Sequence, residues 1–343
     1  MAEYLKAGIL PVMALWLAGP TLAQTATPPG AVAEFYKGKT ITMTIGFPPG
    51  GEYDIHGRLV ARFIGRHIPG NPQVIVTTMT GAGGITATNY LYNVAAKDGT
   101  QLGVVANGVA TAQAIGTKGL AFDGNKFNWI GALVPTTEAL AMWHTSGAKS
   151  LRDVQEKEFV IGASGRGAGS FIMPTAMNEM FGAKFKIVSG YRGGADLNVA
   201  MERGETQGRS NSWTSWKTTK SAWLKDKMIT IIAYAGPEAK DLTGAVHLNK
   251  EAKTAEDRDL LDLVFSGAGL GRPIVATPGI PAERVAALRA GFDAVLADAE
   301  FQADAKKARV ELMPIRGVDM QKNVARALAA PPALVARAKR LME

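Results

Sequence analysis

The chain has 343 residues, 47% of them hydrophobic, and a mean hydropathy near zero, which argues for a soluble globular protein long enough for two cored domains. It contains no cysteine, so disulfides, thiolate chemistry and a lipid anchor on cysteine are excluded. The formal charge of +8 comes from basic residues scattered among acidic ones, as in KTTKSAWLKDK (Lys217–Lys227). With no nucleic-acid motif beside them, they fit a solvated surface that favours small anions.

Lys6 precedes an apolar run from Ala7 to Ala18, and Thr21, Leu22 and Ala23 end on small residues. This reads as a secretory signal peptide, residues 1–23, cut after Ala23. The run is shorter than the ~20 residues of a spanning helix and is broken by Pro11, Gly19 and Pro20, which argues against an anchor. Lys6 and Glu3 cancel, so removal keeps the net charge. A free periplasmic protein is expected.

The mature chain alternates strand-like and helical runs, as α/β proteins do. KTITMTIGF places Ile41, Met43, Ile45 and Phe47 on one face of a strand, and Ile55, Leu59 and Phe63 then recur at helical spacing. The join between them is Pro48-Pro49-Gly50-Gly51. The unit repeats: QVIVTTM leads to GAGG, EFVIGAS to GRGAGS, and KFKIVSGY to RGG, each glycine turn opening a helix. Open α/β sheets bind ligands at such carboxyl ends of strands. Two helix-poor passages, Asn128 to His144 and Met228 to Gly236, flank a middle α/β segment. They predict a middle domain, 139–231, inserted into a first domain made of 30–138 and 232–343.

A helix start presents N–H groups without intrahelical acceptors and the positive end of the helix dipole, so it attracts anions. Gly50 and Gly51 let backbone approach a ligand, and Asp54 is positioned to cap the helix. One glycine pair alone is better read as a tight turn, but several such loops in one chain point to a shared cleft. Nucleotide readings fail: GFPPGGEYD lacks the lysine and hydroxyl of a phosphate loop, and GRGAGS has Ser170 where a dinucleotide loop needs glycine. Glu52, Asp54 and His56 alternate without a second histidine four residues on. His67, His144 and His247 are dispersed, and GASGR is not a nucleophile elbow. No constellation supports a metal, a cofactor or an enzyme.

The stretch Phe35–Val105, with its order of strand, glycine pair, Asp, helix, GAGG and DGT, resembles the substrate-binding proteins of tripartite tricarboxylate transporters, the Bug-type family. The similarity continues through GASGRGAGS, YRGGADLNVAMERGE and the tail from Thr277 to Pro314. The resemblance implies a two-domain α/β architecture of the periplasmic-binding-protein type II, or Venus flytrap, class. It implies a monomeric receptor without cofactor that closes around a small organic carboxylate, di- or aromatic, and delivers it to the large and small membrane subunits of a permease. A periplasmic enzyme acting on a carboxylate and a co-receptor for a sensor kinase are the alternatives.

By the same resemblance, Phe47, Pro49, Gly50, Gly51 and Asp54 face Ser164, Gly165, Arg166, Gly167 and Ser170 across the cleft. Tyr191, Gly193 and Gly194 line the second wall, and Asn107 lies near the hinge. Asn211 and Trp213, in SNSWTSW, stand at a pocket-facing strand end, where Trp213 or Trp216 either stacks on a flat ligand or packs in the core. Glu52 and Arg166 depart from the family pattern. They are expected either to pair across the cleft mouth or, for Arg166, to clamp the ligand.

Overall fold

The structure is a computed structural model that describes Met1 and residues 30–342. The expected signal peptide, Met1 apart, therefore lies outside the described residues. Among the described residues, twelve strands form two six-stranded sheets. The first contains β1 (Thr40–Ile45), β2 (Gln73–Thr78), β3 (Gln101–Val104), β4 (Asn128–Ala132), β11 (Ile274–Ala276) and β12 (Ile315–Arg316), in the order β12-β4-β11-β3-β1-β2. The second contains β5 (Glu138–Trp143), β6 (Phe159–Ala163), β7 (Phe185–Ser189), β8 (Gly208–Ser212), β9 (Ile229–Ala235) and β10 (Val246–His247), in the order β10-β9-β5-β8-β6-β7.

The first sheet is parallel at one end and the second at both, and each is antiparallel where the chain crosses between lobes. β1 runs parallel to β2 and β3, while β11 returns antiparallel to β3 and β4. In the second sheet β6 runs parallel to β7 and β8, and β5 lies antiparallel to both β8 and β9. The outward crossing thus falls between β4 and β5, at residues 133–137. The expected return at 232 differs from what the sheets show. β9 is paired with β5 from Trp143↔Ile229 to Glu138↔Ala235, and β10 adds a parallel edge beyond it, so the second sheet runs on to His247. A helix-poor sequence marks a strand, but only its pairing assigns that strand to a lobe.

Every residue of β5 is buried, so this central strand is covered on both faces. Ile41, Met43 and Ile45 of β1 pack with Leu59, Ile64 and Phe292 in one cluster on the first lobe. Ala139, Ala141 and Trp216 form the matching cluster on the second. A third cluster is continuous across the two lobes, joining Val105 and Phe265 to Met142, Phe159 and Leu341. The helix Pro332–Met342 carries that continuity, because it packs on both the helix Ala255–Val264 and the helix Gly169–Phe181.

Candidate ligand-binding site

Three helix N-termini meet between the sheets. The helix Glu52–His67 follows β1, the helix Gly169–Phe181 follows β6, and the helix Gly194–Glu202 follows β7. Their first turns, with Phe47, Pro48, Arg209 and Arg272, wall a cavity of about 50 Å³. At roughly 10–15 Å³ for one water position, this is space for a few waters, so the lobes are drawn together over a polar interior. Grooves of about 540 and 710 Å³ elsewhere have no such convergence of helix starts.

Close backbone approach explains the glycines on both sides. A Cβ on Gly165 would stand 2.8 Å from the Gly83 nitrogen, and one on Gly108 would stand 2.5 Å from the Gly167 carbonyl oxygen. Across the mouth, a Cβ on Gly193 would meet Pro48 Cδ at 2.7 Å. Polar contacts close the rim: Lys217 Nζ donates to Glu311 at 2.6 Å, and Thr218 donates to the Arg309 carbonyl at 3.0 Å.

A buried charge cluster forms the floor. Glu52 of the first lobe accepts hydrogen bonds from Arg272 Nε at 2.7 Å, from Thr214 at 2.5 Å and from Ser212, the last two reaching over from the second lobe. Arg272 also donates to Tyr53 Oη at 3.1 Å and lies over its ring, which stacks in turn on Phe47 at 3.9 Å. Tyr53 Oη donates to Asn107 Oδ1 at 3.0 Å. Burial pushes the Glu52 carboxyl up, but Arg272, His56 and the two hydroxyls more than offset it, and its pKa falls to about 2. Burial pulls the Arg272 guanidinium down, and Tyr53, Glu52 and Glu138 outweigh it, so its pKa stays above the ordinary value. Burial dominates for His56 and lowers it to about 4, against the pull of Glu52.

Arg209 is buried beside this cluster. Its Nη1 donates to the Gly194 carbonyl at 2.6 Å and to Asn198 Oδ1 at 3.1 Å, and its guanidinium lies over Trp216. Burial lowers its pKa to about 9, with Glu138 opposing. Glu138, at the start of β5, lines the cavity with its pKa raised by burial.

Of the residues expected from sequence, Phe47, Gly50, Gly51, Ser164, Ser170 and Asn211 line the cavity, as does Gly194. Asn107 lies behind the floor, its Nδ2 3.5 Å from Glu138 Oε1. Gly165, Gly167 and Gly193 make the close approaches between lobes, and Pro49 is exposed beside the mouth. Ser164 and Ser170 are tied to each other through the Ser170 hydroxyl, 3.1 Å from the Ser164 amide nitrogen.

Four residues stand elsewhere. Asp54 is the third residue of its helix; Gly51 holds the cap position, and the Asp54 carboxylate reaches back to the Gly50 N–H at 3.1 Å while Arg58 holds it from outside. Tyr191 contacts Glu205 at 3.5 Å on the surface. Trp213 packs against the cluster around Trp216, with the Lys217 ammonium over its ring, and Trp216 itself is fully buried core. Arg166 is exposed; its Nη1 donates to the Met342 carbonyl at 2.6 Å and its guanidinium lies over Phe171.

The expected pairing of Arg166 with Glu52 is therefore corrected. Arg272, 220 residues away in sequence, is the cation of Glu52. Sequence reasoning also passed over Glu138 and Arg209, which sit in strand-like runs. Glu138, at the head of the apolar strand EALAMW, offered a signal, since burying a charge requires a partner; Arg209, in the polar strand GRSNS, offered none. Among the described residues no group of three His, Cys, Asp or Glu is placed to hold a metal.

The fold is that of the two-domain periplasmic binding proteins. Among solved structures it is similar to the periplasmic binding protein BugD (18% identity over 89% of this chain and 98% of that one, TM-score 0.71). It is similar also to MatC from Rhodopseudomonas palustris with bound malate (18%, 89% and 99%, TM-score 0.67) and to an R. palustris protein with adipate (16%, 89% and 97%, TM-score 0.68). No family model and no curated protein sequence matches the chain.

Proposed function

We propose that this protein is a periplasmic receptor that closes around a small organic carboxylate and hands it to a tripartite tricarboxylate-type permease, without chemical change to the ligand. The convergence of three helix N-termini from both lobes on one cavity carries the reading, since backbone N–H groups and helix dipoles favour an anion there. Malate in MatC and adipate in the R. palustris protein of the same fold support a carboxylate as the ligand. Contacts such as Thr214 with Glu52 exist only while the lobes are together, so a ligand touching both lobes shifts the population toward the closed form.

The test is a thermal-shift screen of mono-, di- and aromatic carboxylates, followed by calorimetry and solution scattering. Ligand at a hundredfold its dissociation constant stabilises by ~2.7 kcal/mol. A carboxylate that binds, compacts the protein and is recovered intact supports the receptor. A chemically altered ligand makes the protein an enzyme, and no binding across the panel removes the carboxylate reading.

A further inference from the structure

The two buried carboxylates of the cavity are not equivalent. Glu52 is fully engaged, by Arg272 at 2.7 Å, Thr214 at 2.5 Å and Ser212. Glu138 is as deeply buried, at 4% exposure, yet its contacts are all long: Ser210 Oγ at 3.3 Å, Asn107 Nδ2 at 3.5 Å and Arg272 Nη1 at 3.9 Å. Ordinary hydrogen bonds fall within about 2.7–3.2 Å, and a buried carboxylate short of partners carries a large desolvation penalty.

Neighbouring groups do not make up the deficit. Arg272 is committed to Glu52 and Tyr53, and Arg209 donates to Gly194, Asn198 and the Ser210 carbonyl. Burial raises the Glu138 carboxyl, with Arg272 opposing and Glu52 reinforcing. A second feature fixes its place. A Cβ on Gly169 would stand 2.5 Å from Glu138 Oε1, so this carboxylate already occupies the start of the helix Gly169–Phe181. A ligand carboxylate is left the other two helix starts, at Gly51–Tyr53 and at Gly193–Gly194, where Arg209 also lies.

We propose that Glu138 is a specificity-determining residue that receives the ammonium group of a zwitterionic ligand, so the solute is an amino acid rather than a plain dicarboxylate. This rests on the reading of the cavity as a carboxylate site. The ligand carboxylate lies at the helix starts and its ammonium against Glu138. The ammonium removes one unit of negative charge from what each acid brings into the closed cavity: L-alanine adds none and L-aspartate one, whereas propionate adds one and succinate two beside Glu52 and Glu138.

The test compares acids that differ only by an amino group, at pH 7 by calorimetry: L-aspartate with succinate, L-glutamate with glutarate, and L-alanine with propionate. At least one amino acid should bind at least tenfold more tightly than its parent acid. In Glu138→Gln that preference should fall at least tenfold; the wild-type comparison stands alone if the variant does not fold. Parent acids that bind as tightly as their amino acids overturn this inference but leave the carboxylate receptor standing, as does a preference that survives Glu138→Gln. L-malate binding more tightly than L-aspartate would put a neutral hydroxyl on Glu138 and overturn the charge argument. Failure of all seven compounds to bind overturns the inference together with the reading beneath it.

Discussion

Thr214, on the second lobe, donates its hydroxyl to the Glu52 carboxylate of the first at 2.5 Å, and Ser212 donates beside it. The Glu52 carboxylate at the opening loop is thereby bonded from both lobes, by Thr214 and Ser212 of the second and Arg272 of the first. A hydrogen bond to a charged group contributes about 1.5–3 kcal/mol. Thr214→Val should weaken the closed form, and with it ligand affinity, by a factor of ten or more. Solution scattering should show a larger radius of gyration, while the unfolding midpoint stays put. Unchanged compaction would mean that the hydroxyl contributes nothing to closure.

Arg272 holds Glu52 from within the first lobe, both side chains being almost fully buried. Removing one partner of a buried pair leaves the other uncompensated, at about 3–5 kcal/mol. Arg272→Met should lower the urea midpoint accordingly, and Glu52→Gln added to it should return part of the loss, as coupled residues do. Arg166→Ala is the contrast. With its guanidinium on the Met342 carbonyl and away from the cavity, its loss should leave ligand affinity within a factor of about two, a shift inside the ordinary range for surface substitutions. A large loss of affinity in Arg166→Ala would restore the clamp.

Gly193 has extended backbone that any residue adopts, so a methyl group there adds no local strain. It would nevertheless stand 2.7 Å from Pro48 Cδ on the opposite lobe. Gly193→Ala should therefore fold normally but stay open, with weak ligand binding and no compaction on adding ligand. Gly51→Val differs: the nearest atom to its Cβ is the Pro48 carbonyl oxygen at 3.9 Å, so closure survives while the backbone approach to ligand is blocked. Equal behaviour of the two variants in scattering would contradict this division.

His56 is buried with its pKa depressed from 6.5 to about 4. The unfolded chain therefore binds this proton at higher pH than the folded one does. Its contribution to stability is complete above about pH 6.5 and is lost as pH falls toward 4, amounting to about 3 kcal/mol at ~1.4 kcal/mol per unit. Glu52, depressed to about 2, contributes in the same sense lower down, between its ordinary value near 4.5 and 2. His56→Gln should flatten the denaturation midpoint between pH 4 and 6.5 while keeping the limb below it. An unchanged slope would assign the limb to other groups.

Much of this was legible in the chain alone. Apolar alternation in Ile41, Met43 and Ile45, and the glycine turns after each strand, placed β1, β6 and β7 and the helices that follow them, because both signals are local consequences of backbone geometry. The glycines at 165, 167 and 193 stand where the lobes approach closely and a Cβ has little room, whereas Gly50 answers to its positive φ and Gly51 to neither. The capping role of Asp54 was legible in kind but not in register, since a carboxylate three residues into the helix reaches back to Gly50 as readily as one at its start.

What the sequence by itself determined was the set of local elements and the turns that can receive an anion. The tertiary structure alone decided which charges meet. Arg272 lies 220 positions from Glu52 and Ser210 lies 72 from Glu138, and no periodicity spans such intervals. Only the packing of two sheets brings those side chains out of water together, and in that low-dielectric space a difference of less than 1 Å in contact distance separates the satisfied carboxylate of Glu52 from the waiting one of Glu138.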